Sequence, residues 1–180
     1  GLQDTWASAT ATVTVGQFGV IYETGYDHGV GLRSVWGNAD NDVYVVGQEG
    51  AIFNCDGSNC NPDTSGTSEW LNGVWASSAT DVFAVSEDGT IVHFNGTAWS
   101  AMTSGTTANL NGICGTASDD VYAVGDNSLI FYYDGSAWVA ADAGVQANLN
   151  AIWCSDRGDI VAVGDDGTAI VGKGRKKSVL

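Results

Sequence analysis

A repeat with a period of 39 residues constrains this sequence more than any other feature. An Asp followed by an apolar run occurs four times, as DVYVVG, DVFAVS, DVYAVG and DIVAVG, beginning at Asp42, Asp81, Asp120 and Asp159. Successive Asp residues are 39 positions apart each time. Repeats of this length are typical of folds that stack one structural unit several times, so this pattern describes architecture before it describes chemistry.

Each copy of the repeat divides into four short segments with the composition of β-strands. In the copy that begins at Leu71 they are LNGVW, DVFAV, TIVHF and AWSAM, separated by turns rich in Gly, Asn, Asp and Ser. The second segment is apolar throughout, as expected for a strand that is buried on both faces. No segment combines helical spacing of apolar residues with helix caps, so the sequence favours an all-β chain.

Four antiparallel strands in a unit of about 40 residues are typical of a β-propeller blade. We therefore predict an all-β, five-bladed β-propeller of four-stranded antiparallel blades, formed by one domain over residues 1–180. The first copy is divergent and leaves no room for a fourth strand before Leu32, so the first blade is predicted to be incomplete. A linear solenoid is the alternative. It is disfavoured because a solenoid needs polar caps at both ends, and the sequence shows none. The predicted blades are 1–31, 32–70, 71–109, 110–148 and 149–180.

The segment DVYAVGDNSLIFYYDGSAW, from Asp120 to Trp138, resembles the repeats of bacterial BNR-like or Asp-box β-propellers, including the photosystem II assembly factor type. Repeats of that family carry GWAVGxxGTIL followed by DGGxTW, and the turn from Asp134 to Trp138 is one residue shorter here. The resemblance extends over nearly the whole chain and implies a propeller of bacterial origin. It implies little about function, because one fold hosts many activities.

The four cysteines form two complementary pairs in the frame of the repeat. Cys55 and Cys60 stand where the next two copies each carry an aromatic pair, which implies that the two positions touch across the turn between the third and fourth strands. Cys114 and Cys154 stand at the fifth and sixth positions of adjacent copies, and neighbouring strand residues face opposite ways. We predict the disulfides Cys55–Cys60 and Cys114–Cys154. Two such pairs indicate an oxidising compartment and a secreted or cell-surface protein.

Charge excludes several classes of partner. All 21 acidic residues precede Lys173, and only Arg33 and Arg157 are basic in that part of the chain. An acidic body repels phosphate backbones, so we expect no nucleic-acid partner. No run of about 18 apolar residues occurs, so we expect no membrane insertion. The basic cluster KGRKK near the end of the sequence is interpreted as a solvated terminus.

Most distinctive side chains are explained by the repeat itself. The repeating Asp is interpreted as structural, accepting hydrogen bonds from backbone N–H groups of the preceding loop. Trp6, Trp36, Trp75 and Trp153 occupy the fifth position of their copies, so they are predicted to pack between blades. Little is left to assemble a nucleophile, a base and an oxyanion donor, and we therefore predict that the chain is not an enzyme.

Four residues outside the repeat pattern are the predicted ligand-binding residues. Trp70 lies in a connecting loop where the next two copies have Asn109 and Asn148, which makes it the first candidate for a ligand platform. The others are polar or aromatic residues without equivalents in the repeat: Tyr26, His28 and His93. Side chains of these types suit a sugar face or a protein hot spot.

The sequence therefore predicts a non-catalytic binding module for a glycan or a protein. Two alternatives stay open: a two-carboxylate glycoside hydrolase, and a structural protein that self-associates through the edge of its first blade. A sialidase-like site needs an arginine cluster that this sequence lacks. No cofactor and no metal site are predicted, although the turn GDDG, from Gly164 to Gly167, is a weak candidate for calcium.

Overall fold

A computed structural model describes residues 30–174 of the 180-residue chain. These residues form fifteen β-strands joined by short turns, and three of those turns contain a single turn of 3-10 helix, at Gln48–Gly50, Glu87–Gly89 and Asp165–Gly167. The strands are β1 (Leu32–Ala39), β2 (Asp42–Gly47), β3 (Ala51–Cys55), β4 (Cys60–Thr64), β5 (Leu71–Ser78), β6 (Asp81–Ser86), β7 (Ile91–Phe94), β8 (Trp99–Met102), β9 (Leu110–Ala117), β10 (Asp120–Gly125), β11 (Leu129–Tyr133), β12 (Trp138–Asp142), β13 (Leu149–Cys154), β14 (Asp159–Gly164) and β15 (Ala169–Lys173).

The strands form four antiparallel sheets in which sequence neighbours pair: β1–β4, β5–β8, β9–β12 and β13–β15. The all-β propeller prediction is confirmed. The predicted first blade, 1–31, falls almost entirely outside the described residues, so the count of five blades stays a prediction. The last sheet has three strands within residues 30–174, and the segment in which the repeat would continue, 175–180, also lies outside the described part of the chain.

The sheets are stacked so that their first strands are neighbours: β1 packs on β5, β5 on β9, and β9 on β13. We call these four the inner strands. Each sheet has a forward face toward the next sheet in chain order and a rear face toward the previous one. The second strand of each sheet lies between the first and third strands, and a neighbouring sheet covers one or both of its faces.

Strand β6 illustrates why the second strand of each copy is apolar on both faces. Phe83 and Val85 belong to the core between the second and third sheets, and both are fully buried. Val82 and Ala84 belong to the core between the first and second sheets and are also fully buried. Because alternate residues face opposite ways, one strand supplies two cores. Burying an apolar side chain of this size contributes about 1.5–3 kcal/mol relative to leaving it exposed.

The fifth position of the repeat behaves as predicted where another sheet follows in the described structure. Trp75 is buried at 4% exposure, and its ring lies over Gly115 on the next inner strand, where an added Cβ would come within 2.7 Å of the indole. Trp36 and Trp153 are 38% and 59% exposed. The Trp36 ring nevertheless contacts Trp75 of the second sheet, with ring centroids 6.2 Å apart, so it packs between sheets as predicted while remaining partly exposed. The prediction is wrong for Trp153 within residues 30–174, because no sheet follows the last one there, and Trp6 lies outside the described residues.

The repeating Asp is structural, but its hydrogen-bond donors differ from those predicted. The carboxylate of Asp81 accepts hydrogen bonds from Ser77 Oγ and from the His93 ring. Asp120 accepts from Thr116 Oγ1 and, at 2.9 Å, from the Tyr122 hydroxyl. The donors are side chains, four residues back on the inner strand or within the sheet, rather than backbone N–H groups. The Asp thus ties the inner strand to the strands beside it.

Both predicted disulfides are confirmed. Cys55 and Cys60 are directly paired in the register of β3 and β4, with Cα atoms 4.0 Å apart. Cys114 and Cys154 join β9 to β13 across a sheet-to-sheet interface, with Cα atoms 5.7 Å apart. The second bond is the covalent counterpart of the Trp75–Gly115 contact, since it links the fifth position of one copy to the sixth position of the next.

Removing the disulfide Cys114–Cys154 with a double Cys→Ala substitution should cost more stability than removing Cys55–Cys60 in the same way. Cys114–Cys154 joins residues 40 positions apart, and Cys55–Cys60 joins residues 5 positions apart. The lost entropy of the unfolded chain corresponds to a stabilisation of about 4 kcal/mol for the first bond and about 2 kcal/mol for the second. Urea unfolding of the two double variants beside the parent chain measures the difference. Equal losses would contradict the assignment of the longer bond as the principal covalent staple between sheets.

Asp120→Ala should destabilise the chain by about 1–3 kcal/mol, because it leaves the buried Tyr122 hydroxyl without its acceptor and removes the hydrogen bond from Thr116. Asp159 occupies the same repeat position in the last sheet and is the matched control. Its carboxylate is hydrogen-bonded to Lys173, which lowers the pKa of Asp159, but Lys173 is largely exposed and Asp159 is more exposed than the buried Asp120. Asp159→Ala should therefore cost less in the same urea titration. A larger loss for Asp159→Ala would contradict this account of the repeating Asp.

Candidate functional site

The predicted ligand-binding residues do not form one site within residues 30–174. Tyr26 and His28 lie outside the described residues. His93 lies on β7, stacked on Phe83 with ring centroids 4.3 Å apart, and its Nε2 is 2.7 Å from Asp81 at the start of β6. Trp70 lies at the opposite end of β6, where its carbonyl accepts a hydrogen bond from Glu87 N–H. Ligand binding by His93 and ligand binding by Trp70 therefore stay two separate predictions. The His93 side chain already contacts Asp81 and Phe83 of its own sheet.

The end of the stack that carries Trp70 is organised by a repeated network of amide and carboxylate groups. In the third sheet, Asn109 and Asn111 donate to the two oxygens of Asp126, at 3.0 and 2.8 Å. In the fourth sheet, Asn148 and Asn150 donate to Asp165 at the same two distances. We call these six residues the Asn rim. The side-chain amides hold the turn after the second strand against the start of the inner strand.

The Asn rim also connects one sheet to the next. Asn111 Nδ2 donates to the carbonyl of Leu149 on the following inner strand, at 3.0 Å. Asn148 Oδ1 accepts the backbone N–H of Asn127 in the preceding sheet. Asn109, Asn111 and Asn148 thus bind backbone groups that the antiparallel ladders leave unpaired, which is a reason for this residue type to recur.

The second sheet keeps the backbone of this network and changes its side chains. Glu87 N–H donates to Trp70 O at 3.0 Å, as Asp126 and Asp165 donate to Asn109 and Asn148 at 2.9 Å. The Trp70 side chain cannot make the two amide contacts of an Asn, and its residue is 37% exposed. At this position the side chain no longer makes the hydrogen bonds that hold the turn in the third and fourth sheets.

Arg33 also departs from the pattern, at the position that Asn72, Asn111 and Asn150 occupy in later copies. Its guanidinium lies 4.3 Å from the centroid of the Trp70 ring. Nη1 donates to Asn72 Oδ1 at 2.5 Å and to Glu87 Oε1 at 2.9 Å. We call Arg33, Trp70, Asn72 and Glu87 the Trp70 cluster. A guanidinium over an indole face is an attractive cation–π arrangement that also holds the indole at one orientation.

The sequence analysis missed Arg33. The available signal is the same one that identified Trp70, namely a residue that breaks the repeat. Arg33 stands in the second position of its copy, where the three following copies have Asn. Sequence alone does not bring Arg33 and Trp70 together, because they lie at opposite ends of the copy 32–70, 37 positions apart.

The Trp70 cluster lies in acidic surroundings. Glu69 precedes the indole in the sequence, and Glu49 and Asp88 are in the neighbouring turns of the first and second sheets. Arg33 and Glu87 pair with each other, with side chains about one third exposed. The two other basic residues of the described part, Arg157 and Lys173, belong to the far end of the last sheet. The surface around the indole is therefore net negative and favours positively charged ligands.

Two open hollows flank this end of the stack. The larger, of about 650 Å³, lies between the third and fourth sheets and is lined by polar residues including Asn127, Asp142 and Asp165. The smaller, of about 420 Å³, lies beside the turn at Gln48–Gly50. Trp70 lines neither hollow. The exposed indole and the two residues that break the repeat, Trp70 and Arg33, lie together outside both hollows. The Trp70 cluster is therefore the stronger candidate site.

Within residues 30–174, no group of three or more His, Cys, Asp or Glu side chains is placed to hold a metal ion. In the GDDG turn, the carboxylate of Asp165 receives the amides of Asn148 and Asn150. The same described part of the chain contains no helix that is long and apolar enough to cross a membrane.

Comparisons with known proteins identify the fold. YCF48 from Cyanidioschyzon merolae superposes with a TM-score of 0.66 at 16% identity, covering 82% of this chain and 52% of that one. YCF48 bound to D1 peptide gives 0.64 at 16% identity, with 80% and 50% covered. The computationally designed Ika4 protein gives 0.66 at 17% identity, with 82% and 94% covered. This chain therefore spans about half the length of the YCF48 structures that it matches.

These likenesses support a β-propeller repeat fold and, at such low identity, the fold alone. No protein-family profile matches the sequence, and no curated protein matches it either. The BNR-like and Asp-box resemblance thus stays a resemblance.

Proposed function

We propose that this chain is a secreted or cell-surface propeller module that binds a protein partner through the Trp70 cluster and has no catalytic role. The observation that carries the proposal is the release of Trp70 and Arg33 from the rim network. Two positions that are Asn in the following copies carry instead an exposed indole and a guanidinium stacked on it. Trp and Arg are the residue types that most often dominate protein–protein binding energy.

The electrostatics of the cluster favour a basic segment as the bound element. Glu69 and Glu87 adjoin Trp70 in the sequence and in the turn that bonds to its carbonyl, and Glu49 stands at the turn position that contacts Asn109 in the later copy; Arg33 is already paired with Glu87. A Lys or Arg of a partner would be attracted to this surface, while its aliphatic stem would cover the indole. YCF48, which has the same fold, has been solved bound to a peptide, and this likeness supports a peptide or protein ligand.

The two disulfides support the secreted or cell-surface location, because such bonds persist in oxidising compartments. The non-catalytic role is supported by the engagement of the rim carboxylates. Asp126 and Asp165 each receive two amide hydrogen bonds, which leaves them poorly placed to act as a general acid or base.

Trp70→Asn is the sharpest test, because it installs the residue that the repeat uses at this position. The new amide can donate to Glu87 and accept from Glu49 N–H, as Asn109 does with Asp126 and Asp88. The free energy of unfolding should stay within about 1 kcal/mol of the parent, whereas losing a Trp hot spot of about 2 kcal/mol should weaken binding roughly 30-fold.

The measurement is a selection from a displayed library of random peptides, followed by titration of the selected peptides at two salt concentrations. The parent chain should select basic, aromatic-containing peptides whose affinity falls as salt rises. Val139→Asn, which changes a residue that is 53% exposed on β12, is the matched surface control and should leave binding intact. Unchanged binding by Trp70→Asn would overturn the proposal.

Glycans are the alternative ligand, and a glycan array probed with and without calcium tests them beside the peptides. Binding of a glycan, but of no peptide, through Trp70 would replace the protein partner while keeping the site. Turnover of a glycoside substrate that a single Asp or Glu substitution abolishes would instead overturn the non-catalytic role.

A further inference from the structure

Both end sheets of the stack expose apolar residues that the repeat buries elsewhere. On the rear face of the first sheet, Leu32 and Val35 are 55% and 63% exposed, whereas their equivalents Leu71 and Val74 are 0% and 4% exposed. We call Leu32, Val35 and Gly37 the first open face. These residues are of the types that the repeat buries between sheets, and no sheet formed by residues 30–174 covers them.

The forward face of the last sheet shows the same contrast. Trp153 and Val163 are 59% and 44% exposed, whereas Trp75 and Val85 at the equivalent positions are 4% and 0% exposed. Val171 on β15 is 78% exposed. We call Trp153, Val163 and Val171 the last open face. Contiguous exposed apolar side chains of this kind mark an interaction surface.

The two open faces are complementary to each other. Inside the stack, the forward Trp75 lies over Gly115 at the sixth position of the next inner strand. Trp153 is the corresponding forward Trp of the last sheet, and Gly37 is the sixth-position residue of the first. Of the inner strands' sixth positions, 37, 76, 115 and 154, only those at 37 and 115 are Gly. A Trp-on-Gly contact is therefore available between the two ends of the stack.

The polar part of the interface is complementary as well. Asn72 and Asn111 each donate to a Leu carbonyl of the following inner strand, Leu110 and Leu149, at 3.0 Å. Asn150 is the next member of this series, and the matching acceptor at the other end of the stack is the Leu32 carbonyl. The first and last open faces thus contain the apolar and the polar halves of one ordinary sheet-to-sheet interface.

The curvature of the stack decides what joins these faces. The inner strands β1 and β13 do not pack on each other within residues 30–174. The four sheets superpose on about half of YCF48, so the rotation from one sheet to the next is that of a propeller about twice as long. Residues 30–174 thus form an arc of roughly half such a ring, and a second arc of the same size would complete it.

We propose that two copies of this chain complete one propeller, with the last open face of each copy packed on the first open face of the other. The arrangement has two-fold symmetry and buries both faces of both copies, so no apolar end remains exposed. It differs from self-association through the edge of the first blade and from the five-bladed propeller of a single chain, both of which the sequence suggested and both of which stay untested. It is also independent of the Trp70 cluster and its ligand.

A pair of new cysteines tests the contact directly. Cys114–Cys154 joins the fifth position of one sheet to the sixth position of the next, and the equivalent pair across the proposed interface is Trp153 and Gly37. The double variant Gly37→Cys/Trp153→Cys should therefore form disulfides between copies. The four natural cysteines are all paired, so only the new thiols are available. At Gly37 an added Cβ would lie 3.2 Å from Val43 Cγ2, which requires only a small shift.

The expected result for the purified 180-residue double variant is a covalent species of twice the 18.6 kDa chain mass on a non-reducing gel, returning to one chain after reduction. Each single variant alone should give no such species, and an equimolar mixture of the two should give it. A disulfide between the two introduced thiols of one chain would overturn the proposal, since the arc would then close alone. Free thiols would also overturn it, because another segment, such as residues 1–29, would then separate the faces.

The mass of the parent chain in solution is the second measurement, by light scattering after size exclusion. Two chains per particle are expected. Val163→Asp, which places a charge on the last open face, should give one chain per particle with an unchanged far-ultraviolet spectrum. Val139→Asp, on β12 and outside both faces, is the control and should stay dimeric. A parent chain of one copy, or an open-ended ladder of cross-linked species, would overturn the closed two-copy ring.

Discussion

The packing of one β-sheet on the next is the interaction on which the rest of this structure depends. Each second strand is buried on two sides, so Phe83 and Val85 stabilise one core while Val82 and Ala84 stabilise another. Each of the four described sheets has apolar residues on both faces and needs neighbouring sheets to bury them. The stability of a blade is therefore a property of its interfaces, which resembles the nearest-neighbour energetics of other repeat proteins.

The ends of the sheets face a different requirement, because backbone groups in the turns lack ladder partners. The protein meets it with the repeated Asn residues of the rim, while the Asp that begins each second strand binds side chains of the same sheet. Once this network is recognised, departures from it become informative. Trp70 and Arg33 make none of its amide contacts; Arg33 instead bonds Asn72 and Glu87 and stacks on Trp70, whose indole stays partly exposed.

The same requirement for a neighbouring sheet explains why the exposed apolar faces of the two end sheets are interpreted as interaction surfaces. Trp153 and Leu32 have no special chemistry, and their equivalents are ordinary core residues. They are unusual only because the stack of described sheets ends there. Function and assembly thus use different parts of the molecule: recognition is assigned to residues that break the repeat, and self-association to residues that follow it where no next sheet is present.

The sequence by itself determined the period, the strands, the all-β propeller class and both disulfides. These follow from local composition and from a 39-residue register, in which equivalent positions have equivalent surroundings. The partners of the repeating Asp, the stacking of Arg33 on Trp70 and the exposure of Trp36 and Trp153 were decided only by the tertiary structure. The physical reason is that alternation along a strand tells which residues share a face, but not which residues of the next sheet they meet. That depends on the rotation and offset between sheets, which arise when all the interfaces are packed together.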